Sequence, residues 1–272
     1  MIIKSRLAAC FLPACLLLAV APAGAQMAAG QRCAVKSGPQ TAALVELYSS
    51  EGCSSCPPAD QRLSALRREV EAGTGAASLI VPLALHVTYW DQIGWKDPLA
   101  QPQFDARQAE LLRHQPRHVA YTPQFFVGGT ELRSWDAQLP TAIRRINATG
   151  APVNISLAAT PGPGGTLLLE AQAAAPDAQT GGDLYLAVSE SGIVSKVLRG
   201  ENRGATLHHD AAVRLWLGPV ALAQGHASLR REVRLPASWR PEQLQVVAFV
   251  QRADSSAILQ AVSTAQCAKG VL

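Results

Sequence analysis

Two cysteines, Cys53 and Cys56, stand two residues apart where a strand-like apolar run meets a helix-like one, and this junction limits the fold more than any other feature of the chain. Thr41 to Tyr48 is apolar over the length of a strand and reads as one buried on both faces. Pro58 to Glu71 sets Leu63, Leu66 and Val70 on one helical face, and Ser78 to Val87 is a second apolar strand. A parallel pair joined by a crossover helix follows, with the two thiols at the mouth of the helix. At that spacing the cysteines can close a small disulfide. Amide groups at a helix start favour thiolate over thiol.

The beginning of the chain assigns the compartment. Lys4 and Arg6 precede the apolar run Leu7 to Val20, which ends in Pro22 and Ala23-Gly24-Ala25. This reads as a secretory signal over residues 1–25, with the mature chain starting near Gln26 in the periplasm or outside the cell. The run is too short for a retained anchor, so no membrane span is expected after cleavage. Cys10 and Cys15 leave with the signal, and Cys33, Cys53, Cys56 and Cys267 remain in a compartment where disulfides persist. With Cys53 and Cys56 as local partners, Cys33 and Cys267 are expected to form a structural bridge between the chain ends. The alternative is two unpaired, buried thiols. The formal net charge of +4 in 272 residues is small and dispersed, without a Lys/Arg block, which argues against nucleic acid as a partner.

The first half continues through a loop from Thr88 to Pro98 and a helix from Gln101 to His114. Thr122 to Leu132 reads as strand, Gly128-Gly129 hairpin turn and strand, and Trp135 to Asn147 as a closing helix. After Thr149-Gly-Ala-Pro152 the pattern changes. Val153 to Leu157, Thr166 to Ala171, Asp183 to Val188, Ser228 to Leu235 and Leu244 to Val250 are apolar runs of strand length, which together read as an antiparallel sandwich. Two domains are therefore expected, an α/β domain over residues 33–149 and a mostly antiparallel, sandwich-like all-β domain over 150–272.

The strand and helix order, the Cys53/Cys56 pair and Thr122-Pro123 before a strand ending in Gly128-Gly129 resemble the thioredoxin and glutaredoxin superfamily. More narrowly, Glu51-Gly-Cys-Ser-Ser-Cys-Pro-Pro-Ala-Asp60, His86-Val-Thr-Tyr-Trp-Asp-Gln-Ile-Gly-Trp-Lys-Asp97, Tyr121-Thr-Pro-Gln124 and Gly200-Glu-Asn-Arg-Gly204 resemble a secreted bacterial thioredoxin-like family of unassigned function. The resemblance implies a thioredoxin-like domain in which Cys53 is the attacking thiolate and Cys56 the resolving thiol. It implies that Pro123 is a cis proline packed against the pair and that Thr122 offers its backbone to a bound peptide. Glu46, on the first strand, resembles the buried acid that serves as general base toward the resolving thiol; the other reading is a solvent-facing side chain or an ion pair with an arginine. Glu51 reads more simply as a solvated charge. The sequence departs from the superfamily at Pro57 and Pro58, which shift the helix start toward Cys56 and bring both thiols into the amide field. It departs again at Gly52, in place of a bulky aromatic, which leaves Cys53 more open.

His86, Trp90 and Trp95 lie in the loop at the carboxyl end of the second strand, the edge that also presents Cys53. Such crevices bind ligands, so Trp90 and Trp95 are candidate client-binding residues, against the alternative that the indoles pack over the sheet edge. Three functions use these residues. The first is an exported thiol-disulfide oxidoreductase needing no cofactor, acting on protein or small-molecule thiols and disulfides, with a redox partner to recycle it and its direction open. The second is a copper metallochaperone with Cys53, Cys56 and His86 as soft ligands. The third is a non-catalytic peptide-binding module. Arg199 to Gly204 reads as a polar, interactive loop, and His208 and His209 point apart on a strand with surface or turn roles.

Overall fold

A computed structural model describes residues 32–73 and 79–267; the signal segment expected over residues 1–25 lies outside the described residues. In chain order the elements begin with β1 (Cys33–Lys36), β2 (Ala43–Ser49), α1 (Pro57–Glu71), β3 (Ile80–His86), α2 (Pro102–Leu112), β4 (Gln124–Val127), β5 (Thr130–Glu131) and α3 (Trp135–Asn147). The rest are strands: β6 (Asn154–Gly162), β7 (Thr166–Ala174), β8 (Asp183–Glu190), β9 (Ile193–Lys196), β10 (Thr206–His209), β11 (Ala212–Ala221), β12 (His226–Arg234), β13 (Leu244–Gln251) and β14 (Ile258–Ser263). The protein is thus mostly β, with three helices among the described residues and both antiparallel and mixed sheets. No helix among these residues is long and apolar enough to cross a membrane.

The apolar runs form the strands anticipated for them, and their parity decides what they pack against. β2 is buried along its whole length. Leu44 and Tyr48 face α2 through Phe104 and Leu111, whereas Val45 and Leu47 face α1 and α3 through Leu63, Leu66, Leu139 and Ile143. A strand covered by helices on both faces must be apolar at nearly every position, which is why it reads as a run rather than an alternation. β2 and β3 are parallel with α1 as their crossover, and β4 pairs antiparallel to β2. Gly128 and Gly129 take positive φ (62° and 86°) in the two-residue turn between β4 and β5. A Cβ on Gly129 would also collide with the Ser256 carbonyl oxygen, so only glycine fits there.

Sequence patterning misses β1, β9, β11 and β14, and of these β11 changes how the halves relate. β11 pairs antiparallel with β8 and touches β3 in parallel through Ala212 and Ala84, making one eight-stranded sheet in the order β14-β13-β8-β11-β3-β2-β4-β5. This sheet runs across the division drawn at residues 149 and 150. β11 is hard to read because its register shifts twice and Gly218-Pro219, joined by a cis peptide, interrupts it. β1 belongs with the second half, pairing β6 in a four-stranded sheet ordered β1-β6-β7-β12. That sheet stacks on the far end of the large one, with Ile155, Leu157, Leu167 and Leu169 facing Leu184, Leu186, Val188 and Val246. A disulfide joins Cys33, at the start of β1, to Cys267, beyond β14, with the Cα atoms 5.9 Å apart.

Candidate active site

The carboxyl end of the β2/β3 pair gathers the residues with chemical capacity. Ser49 pairs with His86 there, and Gln124 pairs with Tyr48, so Thr122-Pro123, joined by a cis peptide, enters the sheet at the same edge. The chain leaves β2 through Ser50 to Ser55 and turns into α1, where Cys56 is the N-cap and Pro57 the first helical residue. Cys53 and Cys56 are joined by a disulfide, with Cα atoms 5.4 Å apart. Both cysteines are fully buried, at 0% exposure. This corrects the expectation of an open Cys53: a Cβ at Gly52 would lie 3.4 Å from Trp90 Cβ, so the Trp90 segment already occupies the space the glycine leaves.

The amide field at the helix mouth is weaker than the spacing suggests. Pro57 and Pro58 have no N–H, and the first helical amides, those of Ala59 and Asp60, both donate to the Cys56 carbonyl oxygen at 2.9 and 3.1 Å.

In place of free amides, a buried ionisable cluster lies under the dithiol loop. Glu51 is fully buried and not solvated. Its N–H donates to Asp97 Oδ2 (2.8 Å), its Oε2 accepts from Trp95 Nε1 (2.7 Å), and its Oε1 meets His209 Nε2 (3.2 Å). Asp97 Oδ2 also takes His86 Nδ1 at 2.6 Å, and Asp97 Oδ1 accepts from Leu99 N–H at 2.8 Å. The His86 and His209 rings meet edge to face, centroids 4.9 Å apart. Asp60 Oδ1 accepts from Ser49 Oγ (2.8 Å), and Asp60 lies one turn from Cys56 on the same helix face. Burial pushes the His86 pKa down, but the charge and hydrogen bond of Asp97, with Asp60 and Glu51 beyond, outweigh it and lift the group to about 9. Burial raises Asp60, opposed by the two histidines and Ser49. Burial also raises Asp97, yet the His86 charge and hydrogen bonds dominate and hold its carboxyl below the usual range.

The residues singled out in the sequence divide accordingly. His86 and Trp95 come together through Asp97 and Glu51, and Glu51 stands two residues before Cys53 in the same loop. Trp90 lies against Gly52 and packs on the core beneath α2. Glu46 does not serve Cys56: it projects from the face of β2 opposite α1, where Oε1 and Oε2 accept from Arg107 Nε (3.1 Å) and Nη2 (3.3 Å), and the Tyr48 hydroxyl adds a bond of 3.4 Å. The ion pair with an arginine is thus the reading that holds, because strand parity places Glu46 with Leu44 and Tyr48. His86 Nδ1 is committed to Asp97, and among the described residues no group of three or more His, Cys, Asp or Glu is arranged to hold a metal ion.

Sequence reasoning gave no site role to Glu51, Asp60 or His209, while the loop holding Glu201 and Asn202 was legible as interactive without its partner. Signals existed for two of the three: His209 has the strand parity of buried Leu207, and Asp60 is four residues from Cys56 in a helix. Asn202 and Glu201, from the polar loop between β9 and β10, reach across to the dithiol loop. Asn202 Nδ2 donates to the carbonyl oxygens of Glu51 and Cys53, and Glu201 Oε2 accepts from Ser54 N–H and Oγ.

The fold has solved relatives. The crystal structure of protein AGR_C_4864 from Agrobacterium tumefaciens superposes with a TM-score of 0.58 at 24% identity, covering 84% of this chain and 95% of that one. HBP35 of Porphyromonas gingivalis superposes with a TM-score of 0.61 at 16% identity, covering 83% and 75%. At these identities the likeness is one of fold. No curated protein matches the chain. A family model described as "Protein of unknown function (DUF1223)" matches residues 44–251, which spans the dithiol, the ionisable cluster and the Glu201-Asn202 loop, and the chain therefore belongs to the DUF1223 family.

Proposed function

We propose that the protein is an exported thiol-disulfide oxidoreductase, with a thioredoxin-like N-terminal part, that exchanges disulfides with protein thiols in the periplasm or outside the cell. The observation that carries this reading is the Cys53–Cys56 disulfide at a helix start, flanked in sequence by Glu51 and Asp60, which belong to a buried group of three carboxylates and two histidines. Structural disulfides have no need of such a cluster, which is costly to bury. Perturbed, buried ionisable groups next to a reactive pair are characteristic of sites that move protons.

In the reaction a client thiolate attacks Cys53 Sγ, the Cys53–Cys56 bond breaks, and the electron pair leaves on Cys56 Sγ. Cys56 takes up a proton, and in this reading Asp60, four residues further along α1 and raised by burial, gives it. A second client thiolate then attacks the client sulfur and releases Cys53 as thiolate, leaving a client disulfide and a reduced protein. Run backwards, the same steps reduce a client, with Asp60 accepting the Cys56 proton, and the pair's potential against its partners decides the direction. Asp60 thereby takes the part the resemblance gave to Glu46. No cofactor enters, and a redox partner returns the pair to its starting state.

The test is a pair of variants of the mature chain incubated with a reduced or oxidised client. Cys53→Ser abolishes exchange, whereas Cys56→Ala accumulates mixed disulfides through Cys53 that survive non-reducing electrophoresis. Undiminished turnover by Cys53→Ser contradicts the mechanism.

A further inference from the structure

Cys53 and Cys56 have no exposed surface, yet exchange requires a foreign sulfur to reach Cys53 in line with the bond it breaks. Part of what covers the loop comes from the crest of the β9/β10 hairpin, Gly200 to Gly204. Asn202 Nδ2 donates to the Glu51 and Cys53 carbonyl oxygens, each at 2.9 Å. Glu201 Oε2 accepts from Ser54 N–H at 3.1 Å and from Ser54 Oγ at 2.7 Å. Three main-chain groups around Cys53 are therefore occupied by donors and an acceptor from a segment about 150 residues further along the chain. An extended polypeptide lying beside Cys53 would bring the same mixture, an N–H and a C=O from every residue.

The hairpin stem has hydrogen bonds of its own, independent of those the crest makes to the dithiol loop: Val197 N–H to the Ala205 oxygen (3.0 Å) and Gly204 N–H to the Val197 oxygen (2.8 Å). The far end of β10 is anchored in the buried cluster by His209. Gly200 and Gly204, with φ of 75° and 86°, bracket the crest, and Glu201 and Ser54 meet at the surface, where water competes for their bonds. Leu198 and Ile93, 69% and 42% exposed, lie on the segments leading into this contact and offer apolar surface to an incoming chain.

We infer that the Gly200 to Gly204 crest is an intramolecular stand-in for the client, so that the substrate class is an extended polypeptide segment carrying a cysteine, which displaces Asn202 and Glu201 from the main chain around Cys53. The inference rests on the redox reading above. A small thiol such as glutathione offers little to replace the bonds that opening breaks. A polypeptide replaces them as it binds, and its thiolate then attacks Cys53 Sγ with the electron pair leaving on Cys56.

The experiment compares the oxidised mature protein with Glu201→Gln/Asn202→Ala, following reduction of Cys53–Cys56 by glutathione and by an unstructured cysteine-containing peptide. The stand-in predicts that the double variant reacts with glutathione about tenfold faster or more, from the loss of these bonds. The peptide rate changes far less, so the preference for peptide over glutathione collapses. Asn202→Asp, which keeps the side chain's size and sets a carboxylate against two carbonyl oxygens, shifts the glutathione rate the same way and guards against a folding defect in the double variant. Equal glutathione rates in wild type and variants, with exchange intact, overturn the stand-in alone. A disulfide that exchanges with neither thiol in any version overturns the redox reading and the stand-in with it.

Discussion

His86 shows how much a single side chain carries here. Its ring is buried, held by Asp97 at Nδ1 and set edge-on to His209, and its pKa is lifted to about 9 by Asp97, Asp60 and Glu51 against the effect of burial. A histidine raised in the folded state contributes stability in full below its ordinary pKa of about 6.5, and that contribution is lost as the pH climbs through the folded value. The melting temperature should therefore fall between about pH 6.5 and about pH 9 by an increment that His86→Gln removes. An unchanged slope in the variant would mean that His86 is neutral in the folded protein. At this scale the sequence was partly legible. The cysteine spacing identified the Cys53–Cys56 pair, which is bonded at the helix start, and strand position placed His86 at the same sheet edge. Nothing local said that Glu51, two residues before Cys53, would be buried, because its partners Trp95, His209 and Asn202 come from loops and strands far along the chain.

Among the elements, α2 shows how a buried charge fixes a helix to a sheet. Arg107 projects from α2 onto Glu46 of β2, and its guanidinium also lies over the rings of Tyr185, Trp216 and Phe249, at 5.4, 5.4 and 5.6 Å. Those rings belong to β8, β11 and β13, so one arginine ties a helix of the first half to three strands of the second. Glu46→Leu strands a buried guanidinium and is expected to cost about 3–5 kcal/mol. Adding Arg107→Leu should recover much of that loss, because both charges are then gone. Denaturant titration of the three proteins checks this; a loss below about 1 kcal/mol for Glu46→Leu would show that the aromatic faces and Glu110, 4.0 Å from Arg107 Nη1, satisfy the guanidinium without Glu46. The run of β2 was legible as a strand, and its interior glutamate as an exception, but only the facing of the strand decides which partner it takes. A one-residue change of register exchanges the α1 face for the α2 face. β11 stayed hidden because its signal is broken by bulges and by Gly218-Pro219, although it is the strand that joins the two halves.

At the scale of the molecule, the eight-stranded mixed sheet positions the dithiol loop, and a separate two-stranded hairpin of β9 and β10, immediately before β11, brings His209 and the Glu201-Asn202 crest to it. The chain's second half thus supplies part of the site rather than a separate support. The apolar runs announced an α/β half and a β half, and those elements are present; the sheet shared between them was not legible, because it depends on pairings between residues more than 100 positions apart, such as Ala84 with Ala212. The two disulfides divide the work. Cys33–Cys267 closes a loop of 234 residues and, in the chain-entropy view, can stabilise the fold by up to about 5 kcal/mol. Cys53–Cys56 spans three positions and restrains little. The most direct measurement is therefore the equilibrium of the mature protein against a graded series of reduced and oxidised glutathione, with each disulfide followed separately by mass mapping. The account predicts that Cys53–Cys56 opens and closes reversibly within the range of known redox proteins while Cys33–Cys267 stays oxidised. Two bridges that yield together, and only as the protein unfolds, would contradict it and leave Cys53–Cys56 a structural bond.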